Sequence, residues 1–162
     1  MGTIEKDKNR IRYLMTPIFK KIAIASDHAG FALKKDFIET LESLAITVMD
    51  LGTFSEESTD YPDFAHKVVG SILKEEAQAG VLICGTGIGM SIAANRHSRI
   101  RAAVCNEGTT SARLARAHNN ANILCLGERL IGPEAAKDTL FTFVTTPFDA
   151  GERHQRRLNK IG

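Results

Sequence analysis

Residues 81–95 read VLICGTGIGMSIAAN. Four apolar residues (VLIC, 81–84) lead straight into three glycines at every second position, Gly85, Gly87 and Gly89. A helix-forming stretch, MSIAAN (90–95), follows at once. A short apolar run closed by glycine and passing into a helix is the signature of a buried strand feeding a strand–loop–helix unit. The same unit recurs along the chain. Strands are expected at 20–27 (KKIAIASD), 46–52, 81–85, 101–106 and 122–128. Helices are expected at 31–44, 64–77, 90–95, 110–118, 133–144 and 152–161. The 31–44 helix shows apolar residues at 33, 37, 38, 41 and 44, and Pro133 opens its helix at a position proline favours. Strands of four to six apolar residues alternating with longer helices, with few hairpin signals, predict an α/β fold. It is a three-layer α/β/α sandwich with a mostly parallel sheet.

The composition sets bounds. The chain has 162 residues, 43% hydrophobic and 25% charged, which suits one soluble domain with its own core. No apolar run exceeds four residues, so neither a membrane span nor a signal-peptide core is expected. The net charge of +2 is too small for a nucleic-acid binder. The charge lies at the ends: residues 1–21 carry +4, residues 152–162 carry +3, and the stretch between carries −5. Residues 1–19 read as a flexible, solvated N-terminal extension, broken by Pro17, with Met15 offering an alternative start. Glu5, Asp7 and the lack of serine argue against a transit peptide. Cys84, Cys105 and Cys125 are odd in number and lie in apolar stretches, the pattern of reduced thiols in a cytosol.

In an open parallel sheet, ligands sit beyond the carboxyl ends of the strands. The residues there are Ser26-Asp27-His28, Gly52, Cys84-Gly85-Thr86, Asn106-Glu107 and Gly127-Glu128-Arg129. The glycine loop lacks the Gly-Lys-Ser/Thr of a P-loop. It is a poor dinucleotide fingerprint as well, since Met90 holds the third-glycine position counted from Gly85. Its N–H groups suit a phosphate or a developing oxyanion; a structural tight turn is the plainer alternative. Cys84 stands at the helix start, where a thiolate base or nucleophile is favoured, or it is one more buried small hydrophobe, the role expected of Cys105 and Cys125. Asp27 fits a helix cap, or with His28 it could bind sugar hydroxyls and phosphate. His118 follows Leu114 by one turn and points inward. It is a core histidine or a general acid–base, the ordinary histidine pKa of about 6.5 suiting the latter. Arg153 and Arg157 share a helix face as a solvated basic stripe or a dianion clamp, and Arg156 lies on another face. No metal motif and no cofactor motif occurs.

Taken together, SDHAG (26–30), TDYPDFA (59–65), CGTGIGMSIAAN (84–95), ARAHNNANIL (115–124), GER (127–129) and GERHQRRL (151–158) resemble the ribose-5-phosphate isomerase B family. That family belongs to the sugar-phosphate isomerases that also include galactose-6-phosphate isomerase. The resemblance covers residues 20–162 as one domain and implies a Rossmann-like fold. It implies a cofactor-free aldose–ketose isomerase of ribose 5-phosphate and ribulose 5-phosphate, acting through an enediolate in the non-oxidative pentose phosphate pathway. Cys84 then matches the base between C1 and C2, His118 the acid–base of ring opening, and Thr86 the hydroxyl assisting proton movement between O1 and O2. The backbone of Gly85, Gly87, Ile88 and Gly89 matches the anion hole. His28, Arg129, Arg153 and Arg157 match phosphate ligands, and Asp27, Tyr61 and Asn119 match sugar contacts. The family needs no metal. It forms dimers or tetramers with the site between subunits, and His118, Asn119 and Arg129 are expected from the neighbour. One branch of the family lacks this cysteine and puts a carboxylate where Met90 stands, so the resemblance is to the cysteine-bearing branch. Alternatives are a hexose 6-phosphate isomerase and a non-catalytic sugar-phosphate-binding module; the latter has no use for Cys84, Thr86 and His118 together.

Overall fold

In the computed structural model, residues 15–162 are described. Five strands form one parallel sheet: β1 (Lys21–Ser26), β2 (Thr47–Asp50), β3 (Ala79–Cys84), β4 (Ala102–Val104) and β5 (Ile123–Gly127). Their order is β2-β1-β3-β5-β4. Six helices cover it: α1 (Phe31–Ser43), α2 (Tyr61–Leu73), α3 (Ile88–Ala94), α4 (Thr109–Asn119), α5 (Pro133–Thr145) and α6 (Glu152–Ile161). A single 3-10 turn, His28–Gly30, joins β1 to α1. The expected three-layer α/β/α sandwich is what forms.

The strand patterns follow from position in the sheet. β3 and β5 are buried at every residue and β1 at all but its first. Strands covered on both faces read as continuous apolar runs. The edge strands β2 and β4 are partly exposed. One face is packed by Leu33, Phe37 and Leu41 of α1, Ala112 and Ala115 of α4, and Leu140, Phe143 and Val144 of α5. The other is packed by Ala65, Val68 and Val69 of α2 and Met90 and Ala94 of α3. The fully buried Lys34 ammonium donates to Asp50 Oδ1 at 2.5 Å and to the Thr53 carbonyl at 2.6 Å. It ties α1 to the segment that leads on to Thr59 and Tyr61.

Several boundaries differ from the sequence expectation. α2 begins at Tyr61 rather than 64, because Pro62 sits in its first turn, where the missing N–H costs nothing. It stops at Leu73 rather than 77, because Glu75 adopts φ 61° and Glu76 and Ala77 turn back to the Ser71 carbonyl. α3 begins two residues early, at Ile88, directly on the glycine loop. The expected tail of residues 1–19 also shortens from its inner end. The Ile18 N–H donates to Val144 O at 2.9 Å, and Phe19 stacks on Phe143 with centroids 6.1 Å apart. Phe19 thereby covers an apolar ring of α5 instead of staying solvated. The rest of that expectation, residues 1–14, lies outside the described residues.

The sheet order reverses direction between β1 and β3, which places a crevice at their carboxyl ends. The ends of β1, β3 and β5 therefore face one another there.

Candidate active site

Cys84 closes β3 opposite Gly127 of β5. Its side chain is 4% exposed, and its Sγ accepts the Gly87 N–H at 3.1 Å. Gly87 makes that possible by adopting φ 75°, the left-handed region that glycine enters without strain. Thr86 Oγ1 accepts the Ile88 N–H at 3.2 Å. Two of the loop's amides are thus spent inside the loop, on the very side chains assigned to catalysis. The N–H of Gly89, in the first turn of α3, has no intrahelical partner by position.

The loop is held from behind by Asn106. Its Nδ2 donates to the Thr86 carbonyl at 2.7 Å, and its Oδ1 accepts the Gly127 N–H at 2.7 Å. Close approach is built in. A Cβ on Gly127 would lie 2.5 Å from Thr86 Cα, and one on Gly89 would lie 2.5 Å from Tyr61 Cζ. The ring of Tyr61, 40% exposed, therefore lies against the glycine loop. Arg129 joins it: its Nη1 lies 3.1 Å from the place of a Gly85 Cβ.

On the β1 side, Asp27 Oδ1 accepts from the Ala29 and Gly30 N–H groups at 2.9 and 3.2 Å. This is the capping role its position suggested. His28 Nδ1 accepts the Thr59 N–H at 3.2 Å, so the neutral ring carries its proton on Nε2, free to donate. Behind Arg129, burial raises the Glu128 carboxyl above the usual carboxylate range. The Leu33 backbone N–H opposes that rise, and Asp36, Asp27 and Glu56 add to it. Cys105 and Cys125 are buried, and burial pushes both thiols up; they are core residues.

The remaining expected residues lie elsewhere. α4 starts after β4 at the carboxyl edge and runs back, so His118 and Asn119 end up at the amino edge of the sheet. The chain re-enters β5 at Ile123, whose neighbours Ala102 and Gly80 are the early residues of β4 and β3. Between that edge and Cys84 lies the length of β5, roughly 13 Å at ~3.3 Å per residue step. α6 packs on this end of α4. Asp149 N–H donates to Ala117 O at 2.9 Å, and the imidazole of His154 stacks on that of His118, centroids 4.5 Å apart and planes 13° apart. Arg153 and Arg157 are exposed beside them. His118 is half-buried rather than a core histidine.

The expected site residues thus fall into two groups at opposite edges of the sheet. One end holds Asp27, His28, Tyr61, Cys84, Thr86, the glycine loop and Arg129; the other holds His118, Asn119, Arg153 and Arg157. The expectation that Arg129 reaches a neighbour's site is corrected by its contact with Gly85 of its own chain, because β5 ends beside β3 and delivers it there. Three organising residues escaped the sequence reading. Asn106 was marked only by position after β4. His154 was hidden between the two arginines of the C-terminal stretch. Arg116, 4% exposed, carried no signal. It donates to the carbonyls of Thr146 and Ala121 and so braces the end of α4. Burial, with Arg101 nearby, lowers its guanidinium to about 10.

Comparison with known proteins bears on what this arrangement is for. The pattern of the ribose/galactose isomerase family matches residues 22–161. The chain belongs to that family. Ribose-5-phosphate isomerase B of Escherichia coli (strain K12) is 44% identical over 142 residues, 88% of this chain and 94% of that protein. Among solved structures, ribose 5-phosphate isomerase of Thermotoga maritima is similar with a TM-score of 0.84 at 61% identity, covering 87% of this chain and 96% of that one. Ribose-5-phosphate isomerase B of Clostridium thermocellum gives 0.85 at 47%, covering 88% and 95%. Among the described residues, no group of three or more His, Cys, Asp or Glu is placed to hold a metal ion. No described helix is long and apolar enough to cross a membrane.

Proposed function

We propose that this chain interconverts ribose 5-phosphate and ribulose 5-phosphate, with Cys84 as the base. The observation that carries the reading is the Cys84 thiol at the carboxyl end of β3, bonded to Gly87 within a glycine loop, in a member of an isomerase family. Ribose 5-phosphate is bound as a closed furanose. His118 takes the proton of the anomeric hydroxyl and returns one to the ring oxygen, which opens the ring. The Cys84 thiolate then removes the proton on C2. The electron pair forms the C1–C2 double bond, and the aldehyde oxygen becomes the enediolate oxygen. The Gly89 N–H, which is not spent inside the loop, stabilises that charge; one such donor is worth about 3 kcal/mol when preorganised. The Thr86 hydroxyl carries the proton from O2 to O1, and Cys84 returns its proton to C1, giving the ketose. No electron leaves the substrate, so the scheme calls on no redox partner.

Phosphate binding belongs to His28 Nε2, Arg129, Arg153 and Arg157, and sugar contacts to Asp27, Tyr61 and Asn119. Because His118, Asn119, Arg153 and Arg157 lie a sheet length from Cys84, a working site joins the two ends of different copies. The proposal is therefore a homo-oligomer built on pairs of chains, each pair holding two sites. The exposed apolar side chains of Ile88, Ile92 and Ile161 and the unpaired edge of β4 suit burial between copies. Three buried free thiols fit a reducing compartment, so the place proposed is the cytoplasm.

The test is conversion of ribose 5-phosphate in the presence of EDTA, wild type beside Cys84→Ala. Turnover in the wild type and its loss in the variant support the reading. Turnover of a hexose 6-phosphate with none of the pentose would overturn the substrate. Equal turnover in both proteins would overturn the base.

A further inference from the structure

His154 has no assigned part in the reaction above, yet it is buried against His118. It is 4% exposed, and its ring lies nearly parallel to that of His118 at 4.5 Å. Its Nε2 is buried without a hydrogen-bond partner, with Asp149 Oδ2 at 3.7 Å, beyond hydrogen-bond reach. A buried polar atom left unpaired is costly and needs a reason. The exposed Arg153 and Arg157 flank it on the same helix.

We propose that His154 is a positioning residue: it fixes the imidazole of His118 by stacking and stays uncharged while His118 takes up and releases the ring-opening proton. Two imidazolium rings at this separation repel, so one ring of the stack must remain neutral for the other to cycle. The surroundings assign that part to His154. Burial holds it below the ordinary histidine value, and His118, Arg153 and Arg157 lower it further against the opposing pull of Asp149. An open, solvated partner would share the proton instead, and a charged one would hold His118 in its neutral form.

This inference rests on His118 as the ring-opening acid–base, and the chemistry allows the two to be tested apart. Ribulose 5-phosphate cannot close a five-membered ring, because its O5 carries the phosphate. Exchange of its C1 hydrogen with solvent therefore needs Cys84 but no ring opening. Exchange in deuterated water, followed by proton NMR, is measured beside turnover of ribose 5-phosphate. The proteins are wild type, Cys84→Ala, His118→Ala, His154→Ala and His154→Phe. Cys84→Ala loses both activities. His118→Ala loses ribose 5-phosphate turnover by about 10²–10⁴-fold, the worth of a general acid–base, and keeps exchange. His154→Ala shows the same split with a smaller loss, and His154→Phe, which restores the flat stacking ring, recovers most of it. Equal loss of both activities in His154→Ala, or no loss of either, overturns the inference. Undiminished ring-opening turnover in His118→Ala overturns the reading beneath it.

Discussion

Cys84 and His118 belong to opposite edges of the sheet: the carboxyl end of β3 carries Cys84, the end of α4 that leads into β5 carries His118, and the two edges lie a strand apart, roughly 13 Å for the four residue steps of β5. Strand direction alone fixes this. Cys84 is the last residue of β3 and pairs with the last residue of β5. His118 is the penultimate residue of α4, the helix that returns the chain to the start of β5. A reaction that uses both groups on one sugar must draw them from two copies.

Replacing Cys84 by serine nearly keeps the size of the side chain and removes the sulfur. Turnover is expected to fall by about 10²–10⁴-fold, the usual worth of a positioned base. The melting temperature should hold, because the hydroxyl still accepts the Gly87 N–H. Steady-state kinetics beside thermal unfolding check this. A serine variant with near-native kcat would remove Cys84 from the chemistry.

Asn106 holds the glycine loop without touching the reacting end. In Asn106→Asp the Gly127 bond survives, and the Thr86 carbonyl loses its donor and faces a carboxylate. A carbonyl stranded in this half-buried place costs about 1 kcal/mol or more, which in the barrier is roughly tenfold in rate. The loss should appear chiefly in kcat, measured by steady-state kinetics, since the displaced Thr86 belongs to the reacting end.

Two glycines of the site should respond differently to alanine. In Gly127→Ala the new methyl meets the Thr86 backbone at 2.5 Å, which cannot swing aside. A destabilisation of about 1–3 kcal/mol, typical of overpacking, should be seen by urea unfolding. In Gly89→Ala the obstacle is the ring of Tyr61, which is partly exposed and free to turn outward. Stability should hold while KM rises, because Tyr61 leaves its place against the loop.

His154 gives the fold a pH dependence of definite sign. Its folded-state affinity for protons is below the ordinary histidine value. As pH falls through about 6.5, the unfolded chain binds a proton that the folded chain resists. Its stabilising contribution is therefore complete above that point and declines as pH drops toward the lowered value. Urea unfolding from pH 7.5 down to 5 should show this decline in the wild type and a flatter profile in His154→Phe; identical slopes would contradict it.

Much of this was legible in the sequence. Continuous apolar runs marked β1, β3 and β5 because central parallel strands are buried on both faces. The glycine alternation after Cys84 marked the loop because close backbone approach permits no side chain. What failed depended on neighbours far along the chain. Pro62 lies outside the helix expected at 64–77, yet α2 starts around it. Phe19 looked like tail until Phe143 was there to receive it. The division of site residues between two edges could be read only once helix direction and strand order were known. Asn106 and His154 show their roles only through their partners, Thr86 with Gly127, and His118.

Equal amounts of Cys84→Ala and His118→Ala chains, each inactive alone, should be mixed under conditions that exchange subunits and assayed on ribose 5-phosphate. In a mixed pair one site receives both intact groups and the other receives neither, so a symmetric pair predicts recovery of about a quarter of wild-type activity. Confirmed subunit exchange with no recovered turnover would contradict a site shared between copies, and with it the pairing of Cys84 and His118 on one substrate.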